Sequence, residues 1–500
     1  ENIRGLWRFS IYLVIGRLPK FYLKEEIVLP TYQDNPIVQK NRWLILIAVA
    51  SFTFMSTLDG SIVNIALPVI SKDLNIPMNQ VEWVVSICLM TACACLLVFG
   101  KLGDSIGKIK VFRLGMIIFT LGSFLCGFNH SLGLLLVARI IQAIGASMTM
   151  ATNTGIITEV FPMSERGRAL GSIGAFVSLG SIAGPGIGGV ILGQLPWGYI
   201  FWINIPIGIL TFLLGTKVLP TDIHRSGHPI DTKGFALFAL FIITLFGGIF
   251  IGQEIGFTKI LPIILFIAAI LSFISFILVE KRVKLPLITF GIFKNQTFSL
   301  SLLCATLIFA SNFFINVIVP FYLQRTLNLK PSVAGLLMMV FPVVMVVASP
   351  LSGLLTDKFG PKYLVISGLT ILSITQICYM FLDINTPIFV YAVITAFVGL
   401  GNSLFQSPNN TMVMSSVTRE NLGLAGSLNS FARNFGMVVG ISLATTILYQ
   451  AMSFKAGYKV TTYLNQHPEF FIYGMKIAFF GSFLLCFSSL IISIYRLRKI

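Results

Sequence analysis

From Trp43 to Arg496 the chain returns, about every 25 to 35 residues, to a run of Leu, Ile, Val, Phe and Ala long enough to cross ~30 Å of hydrocarbon as a helix. Fourteen such spans are predicted, at residues 43–66, 81–102, 110–128, 132–157, 168–192, 198–218, 234–252, 260–279, 297–323, 331–355, 362–381, 387–411, 423–450 and 472–496. They use nearly all of a 500-residue chain, so the reading is an all-α polytopic membrane protein with no separate soluble catalytic domain. A composition of 56% hydrophobic and 11% charged residues excludes a soluble chain on its own.

A formal net charge of +17 raises nucleic acid as a partner, and the placement of the charges removes it. With a cytoplasmic N-terminus, about 26 of the 35 Lys and Arg fall on the cytoplasmic side. The positive-inside rule then predicts both termini in the cytoplasm, a location in the cell membrane, and the lipid bilayer as the macroscopic partner. Residues 1–42 read as a cytoplasmic or interfacial segment, because "GLWRFSIYLVIGRLPKFYLK" mixes aromatic and basic residues and lacks a small-residue cleavage site. All seven Cys lie in spans without ligand spacing, and His130, His224, His228 and His467 lie in predicted loops. No metal, cofactor or catalytic residue is therefore predicted, and neither an enzyme nor a channel filter is visible.

Two loops repeat each other. "GKLGDSIGKIK" follows span 2 and "GLLTDKFGPK" follows span 10; both read G-x-L-x-D-x-x-G and then reach a basic residue. "ERGRALGS" begins 61 residues after Asp104, and "ENLGLAGS" 63 residues after Asp357. The spacing predicts one six-helix unit used twice: residues 43–218 and 297–500 are pseudo-symmetric bundles, and 219–296 is a linker carrying spans 7 and 8 as an inserted pair. Duplicated bundles are the usual build of secondary transporters, with the cargo site near midplane between them. In the loops, glycines permit a tight turn, while Asp104 can accept from helix N-terminal amides or a nearby Lys or Arg and so latch one conformation. A solvated turn explains the same residues less economically. Gating candidates are Gly100, Asp104, Gly107 and Lys108, with Asp357 and Lys358 in the second copy. Span 5 adds Gly180, Gly184, Pro185, Gly188 and Gly189, whose spacing of four admits a close helix and whose proline allows a kink.

"LDGSIVNIALP", "GKLGDSIGKIK", "RIIQAIGAS" and the glycine string of span 5 together resemble the signature motifs of the fourteen-helix drug:proton antiporter branch of the major facilitator superfamily. The resemblance covers about residues 43–496. It departs at Ser105, where the family usually carries a basic group, and at Ala143, where it often carries Gly. It implies the major facilitator fold and proton-coupled export of small amphipathic molecules, as in multidrug efflux and antibiotic resistance, with a proton gradient in place of a cofactor.

Asp59 is the only acid read well inside a span; Glu159, Glu254 and Glu280 fall at span ends. A carboxylate at that depth costs about 2.5 to 3.5 kcal/mol to insert, so it asks for a reason. Desolvation favours its neutral form and a nearby cation its ionised form, so a balanced site can switch with access. Asp59 and Arg139 both sit about 10 Å below the outer boundary on a 1.5 Å rise, and the resemblance turns spans 1 and 4 toward one another. The expectation is a proton site at Asp59 tuned by Arg139, with a fixed supporting ion pair as the alternative. The resemblance also lines a central cavity with spans 1, 4, 9 and 12. That makes Asn153, Asn312, Phe313, Asn316, Gln406 and Asn410, with Arg433 on span 13, the cargo candidates, although each Asn fits interhelical hydrogen bonding equally well. One acid against two buried cations leaves neutral, zwitterionic, anionic and cationic cargo open. An exporter of lipids, fatty acids or another endogenous metabolite is the alternative function, and a sensor or scaffold without transport a third. A monomer is expected.

Overall fold

The computed structural model describes residues 32–128, 131–223, 231–283, 286–417, 422–464 and 466–499; the side chains at 163, 164, 166–168, 170, 171, 175, 178, 357, 422, 423 and 497–499 are not among those described. Most of the N-terminal segment thus lies outside the described residues. Among the described residues, fourteen helices are long and apolar enough to cross a membrane: α1 (Pro36–Asp73), α2 (Met78–Ile106), α3 (Lys108–Cys126), α4 (Leu132–Val160), α5 (Ser172–Gln194), α6 (Tyr199–Val218), α7 (Thr232–Ile255), α8 (Ile260–Glu280), α9 (Gln296–Thr326), α10 (Pro331–Thr356), α11 (Pro361–Met380), α12 (Ile388–Ser415), α13 (Leu424–Ala456) and α14 (Pro468–Arg496). In hydrocarbon only intrahelical hydrogen bonding satisfies such backbones, which is why each apolar run becomes one helix.

The hydropathy of α1 marks only its middle. Residues 36–42, assigned from sequence to the interfacial segment, form its first turns, with Asn35 Oδ1 accepting from the amides of Ile37 and Val38. Its other end runs on to Asp73, whose carboxylate accepts from Trp197 Nε1 at 2.7 Å. Charged residues at both ends lie beyond the apolar run, so the run underestimates the helix.

Packing repeats between the halves. In the first, α1 packs on α5 and α6, α3 on α4 and α6, and α2 on α4; in the second, α9 packs on α13 and α14, α11 on α12 and α14, and α10 on α12. Adding eight to each label of the first half reproduces the second. The two repeated loops share backbone geometry as well: Gly107 before α3 has φ 115° and Gly360 before α11 has φ 78°, a region other residues rarely adopt. The acid capping α3 is Asp222, which accepts from the Ile109 and Lys110 amides at 2.9 and 3.0 Å.

The halves meet along α2 with α13, α5 with α10 and α1 with α9, and the inserted α7 and α8 pack on each other, α7 also touching α2 and α13. Near the Asp73 end of α1 the seam is tight. Asn64 Nδ2 donates to Asn316 Oδ1 at 3.4 Å, Gln324 Nε2 to the Ile65 carbonyl at 3.0 Å, and Arg325 to the Pro68 carbonyl at 3.2 Å. A Cβ on Gly335 would strike the Pro185 carbonyl, and one on Gly189 would lie 2.9 Å from that of Pro331.

The glycine string therefore serves two partners. Gly180, Gly184 and Gly188 face α1, where added Cβ atoms would meet Phe54, Ser61 and Ile62, whereas Gly189 and the Pro185 carbonyl face α10. The helix continues through Pro185 to Gln194. Gly184→Val is expected to cost about 1–3 kcal/mol, because its side chain has no room between α5 and the α1 backbone. A thermal shift in detergent measures this, with Gly174→Val, which meets open space, left near wild type.

Candidate functional site

Asp59 sits in the interior of the first bundle, 3% exposed, and its carboxylate accepts from three side chains. Arg139 Nη1 of α4 reaches Oδ2 at 2.7 Å, while Gln142 Nε2 and Asn204 Nδ2 donate to Oδ1 at 2.8 and 2.7 Å. Gln142 lies one turn after Arg139 and accepts from its Nη1 at 2.6 Å; it also donates to Ser123 Oγ of α3 at 2.8 Å. Arg139 Nε donates to the Val84 carbonyl of α2 at 3.0 Å, and its guanidinium lies 5.5 Å from the Phe201 ring centroid. Five helices, α1, α2, α3, α4 and α6, thus converge on one ion pair. The equal depth argued from sequence does bring Asp59 and Arg139 together; Ser123, Gln142 and Asn204 were not anticipated.

An ion pair so placed carries its desolvation cost only because the surrounding polar atoms complete it. The next residue, Gly60, faces outward from this cluster: it is exposed, and a Cβ there meets nothing within 4 Å. The carboxylate is therefore one residue from open space yet sealed from it in this conformation.

The cargo candidates divide. Asn312 and Asn316 share a small, partly open cleft with Met338, Phe341, Tyr391 and Thr395, between α9, α10 and α12. Asn312 is also engaged by Asn402 of α12 in a reciprocal amide pair at 2.7 and 3.0 Å. Asn153 donates to Thr53 Oγ1 at 3.4 Å, and Asn410 accepts from Asn429 at 3.0 Å. These two, with half-buried Phe313 and Gln406, do not line that cleft. Arg433 is half-buried with its guanidinium 6.0 Å from the Phe309 ring centroid, and none of the ion pairs among the described residues includes it.

At the loop motif, Lys108 Nζ bridges Asp104 at 2.9 Å and Glu159 of α4 at 2.5 Å. This pairing stays inside the first bundle, and no ion pair from Asp104 to the second bundle is formed among the described residues. Gly100 faces Ser427 of α13 across the seam. In the second copy Lys358 lies over the Phe359 ring, and the side chain of Asp357 lies outside the described residues.

Two packed helix sextets meet along a seam, with a buried ion pair in one and an amide cleft in the other, an arrangement that suits a membrane transporter. The chain belongs to the Major Facilitator Superfamily, whose family model matches residues 49–301 and 301–465. It is 34% identical to the riboflavin transporter RibZ of Clostridioides difficile, over 92% of this chain and 98% of that one. It is 28% identical both to the multidrug transporter protein MdtP of Bacillus subtilis, over 86% and 80% of the two chains, and to the tetracenomycin C resistance and export protein of Streptomyces glaucescens, over 83% and 77%. The likeness to the drug-efflux branch read from the motifs is thus carried by whole-chain relatives. Among solved structures, a bacterial homologue of the human lysosomal transporter Spinster in an inward-facing and occupied conformation superposes with a TM-score of 0.64 over 92% of this chain and 97% of that one; at 14% identity it shows the fold alone.

Proposed function

We propose that the protein is a proton-coupled exporter of small amphipathic molecules in the cell membrane, working by alternating access with the Pro36 end of α1 toward the cytoplasm. The observation that carries this reading is Asp59, an acid inside the bundle held by one arginine and two amides. A proton arriving at the carboxylate breaks the charge balance with Arg139, so occupancy and conformation are linked. The loop pairing of Asp104 with Lys108 and the tight seam at the Asp73 end suit a state closed to the outside. In that state no ion pair among the described residues latches Asp104 to the second bundle.

The cleft at Asn312 and Asn316 and the carboxylate-free surroundings of Arg433 favour neutral or anionic cargo over cations. A second reading, riboflavin as the cargo, is favoured by the relative named for it at 34% identity, and riboflavin is a neutral, planar, hydrogen-bonding molecule that suits amides beside aromatic rings. Uptake of labelled riboflavin and of cationic, neutral and anionic amphiphiles into inside-out vesicles, with and without a proton gradient, tests both. Gradient-driven accumulation of one class supports the proposal; equilibration alone counts against coupling. Arg433→Gln is expected to lower transport of an anionic amphiphile about tenfold relative to a neutral one, the size of a lost charge-assisted contact.

A further inference from the structure

Glu82, at the start of the long apolar run of α2, is 2% exposed, and its Oε1 has no hydrogen-bond partner. With Asp59 and Glu280 it is one of three buried acids among the described residues, and the one that the sequence reading passed over. Glu82 faces the other half of the molecule. The Thr445 side chain of α13 contacts its carboxyl group, and the buried Tyr449 hydroxyl one turn further on has no hydrogen-bond partner either. The Thr445 hydroxyl also lies within reach of the Ile441 and Ser442 carbonyls, at 2.9 and 3.3 Å, and its oxygen accepts from Gln253 Nε2 at 3.0 Å. No ion pair among the described residues includes Glu82, and a carboxylate taken out of water without a paired cation is costly, so the dry seam favours the neutral acid.

The inserted helix α7 closes this seam. Gln253 also donates to Thr446 Oγ1 at 2.6 Å and the Ser442 carbonyl at 2.8 Å, and Phe250 packs against Trp83 with centroids 4.9 Å apart. The elements packed around Glu82 carry Tyr449, Arg433 and Lys455 on α13, Glu254 and Lys233 on α7, and Arg139 and Glu159 on α4, and none of the ion pairs among the described residues includes Glu82. Glu254 is engaged by Gln80, with Lys459 on its backbone carbonyl, and the Arg139 head is committed to Asp59 and Gln142. None of these cations reaches the Glu82 carboxyl.

We propose that Glu82 is a second proton-binding group, whose protonation is a condition for closing the Asp73 face of the transporter. When α2 and α13 part at that face, water reaches the carboxyl, which releases its proton to that side; closing returns the group to a dry seam and takes a proton up. This rests on the reading of proton-coupled alternating access and adds to it a gate distinct from the Asp59 site. The sign follows: lower pH favours the closed Asp73 face, higher pH the open one, by up to about tenfold in the equilibrium per pH unit.

The test is electron–electron distance measurement between spin labels at Lys72→Cys and Asn385→Cys, exposed on opposite halves at that face, in nanodiscs, with the native cysteines replaced. The expected result is a long-distance population that grows as pH rises from 5 to 8 (a range of about three units around neutrality), is retained in Asp59→Asn, and is lost in Glu82→Gln, which stays closed. A pH response unchanged in Glu82→Gln overturns the proposal, as does no response in the parent chain. A response lost in Asp59→Asn but kept in Glu82→Gln overturns it while leaving proton coupling at Asp59 intact. Should Glu82→Gln misfold, infrared spectroscopy of the parent chain decides: a protonated-carboxyl band at neutral pH, shifted by Tyr449→Phe, supports the proposal, and its absence overturns it.

Discussion

Asp59→Asn is expected to abolish uphill transport while leaving the fold in place. A gradient near ~180 mV supplies roughly 4 kcal/mol per proton, at 2.3 kcal/mol per charge per 100 mV. At 1.4 kcal/mol per factor of ten this sustains an accumulation ratio of about 1000 for a neutral molecule. Asn keeps the size of the side chain and one acceptor for Arg139 and Asn204, but it binds no proton in the working range. The ratio in vesicles should therefore fall from hundreds or more toward one, while cargo exchange across the membrane continues. A variant that still accumulates cargo would return Asp59 to the role of a fixed support.

Arg139→Ala is expected to be the most destabilising single change in the bundle. It leaves the Asp59 carboxylate with Gln142 and Asn204 and no cation, removes the side-chain donor to the Val84 carbonyl, and opens space beside Phe201. Breaking one partner out of a buried pair costs about 3–5 kcal/mol. In detergent, most of the variant should be lost as aggregate or unfold at a much lower temperature. The double variant Asp59→Asn with Arg139→Gln removes both charges and should recover most of that stability without recovering coupling. Equal stability of Arg139→Ala and the parent would mean that the pair is not formed in the membrane.

Much of this architecture was legible because its signals are local. Hydropathy marks each span, and the loop glycines at 107 and 360 take the same backbone region in both copies. Helix ends were not legible to the residue: Lys40, Arg42, Lys72 and Asp73 belong to α1 but sit outside its apolar run. Asp59 and Arg139 could be matched because charges at depth are rare. Gln142, Asn204 and Ser123 could not, since a single amide or hydroxyl in a span is common and its facing depends on how three further helices rotate. Asn312 was found as a polar residue at depth, yet its amide partner Asn402 went unnoticed, so a cavity candidate is also an interhelical tie. Glu82, in the first turn of the predicted span 81–102, drew no notice in the sequence, and it is buried where α13 and α7 pack against α2.

The central claim is that cargo and protons move together. The most direct measurement loads liposomes containing the purified protein with a pH dye and adds riboflavin, or a neutral amphiphile, to one side. The account predicts that each cargo movement drives a proton the other way, a dye response absent from empty liposomes and lost in Asp59→Asn. Cargo flux with no proton movement, in a protein that retains its fold, would contradict it.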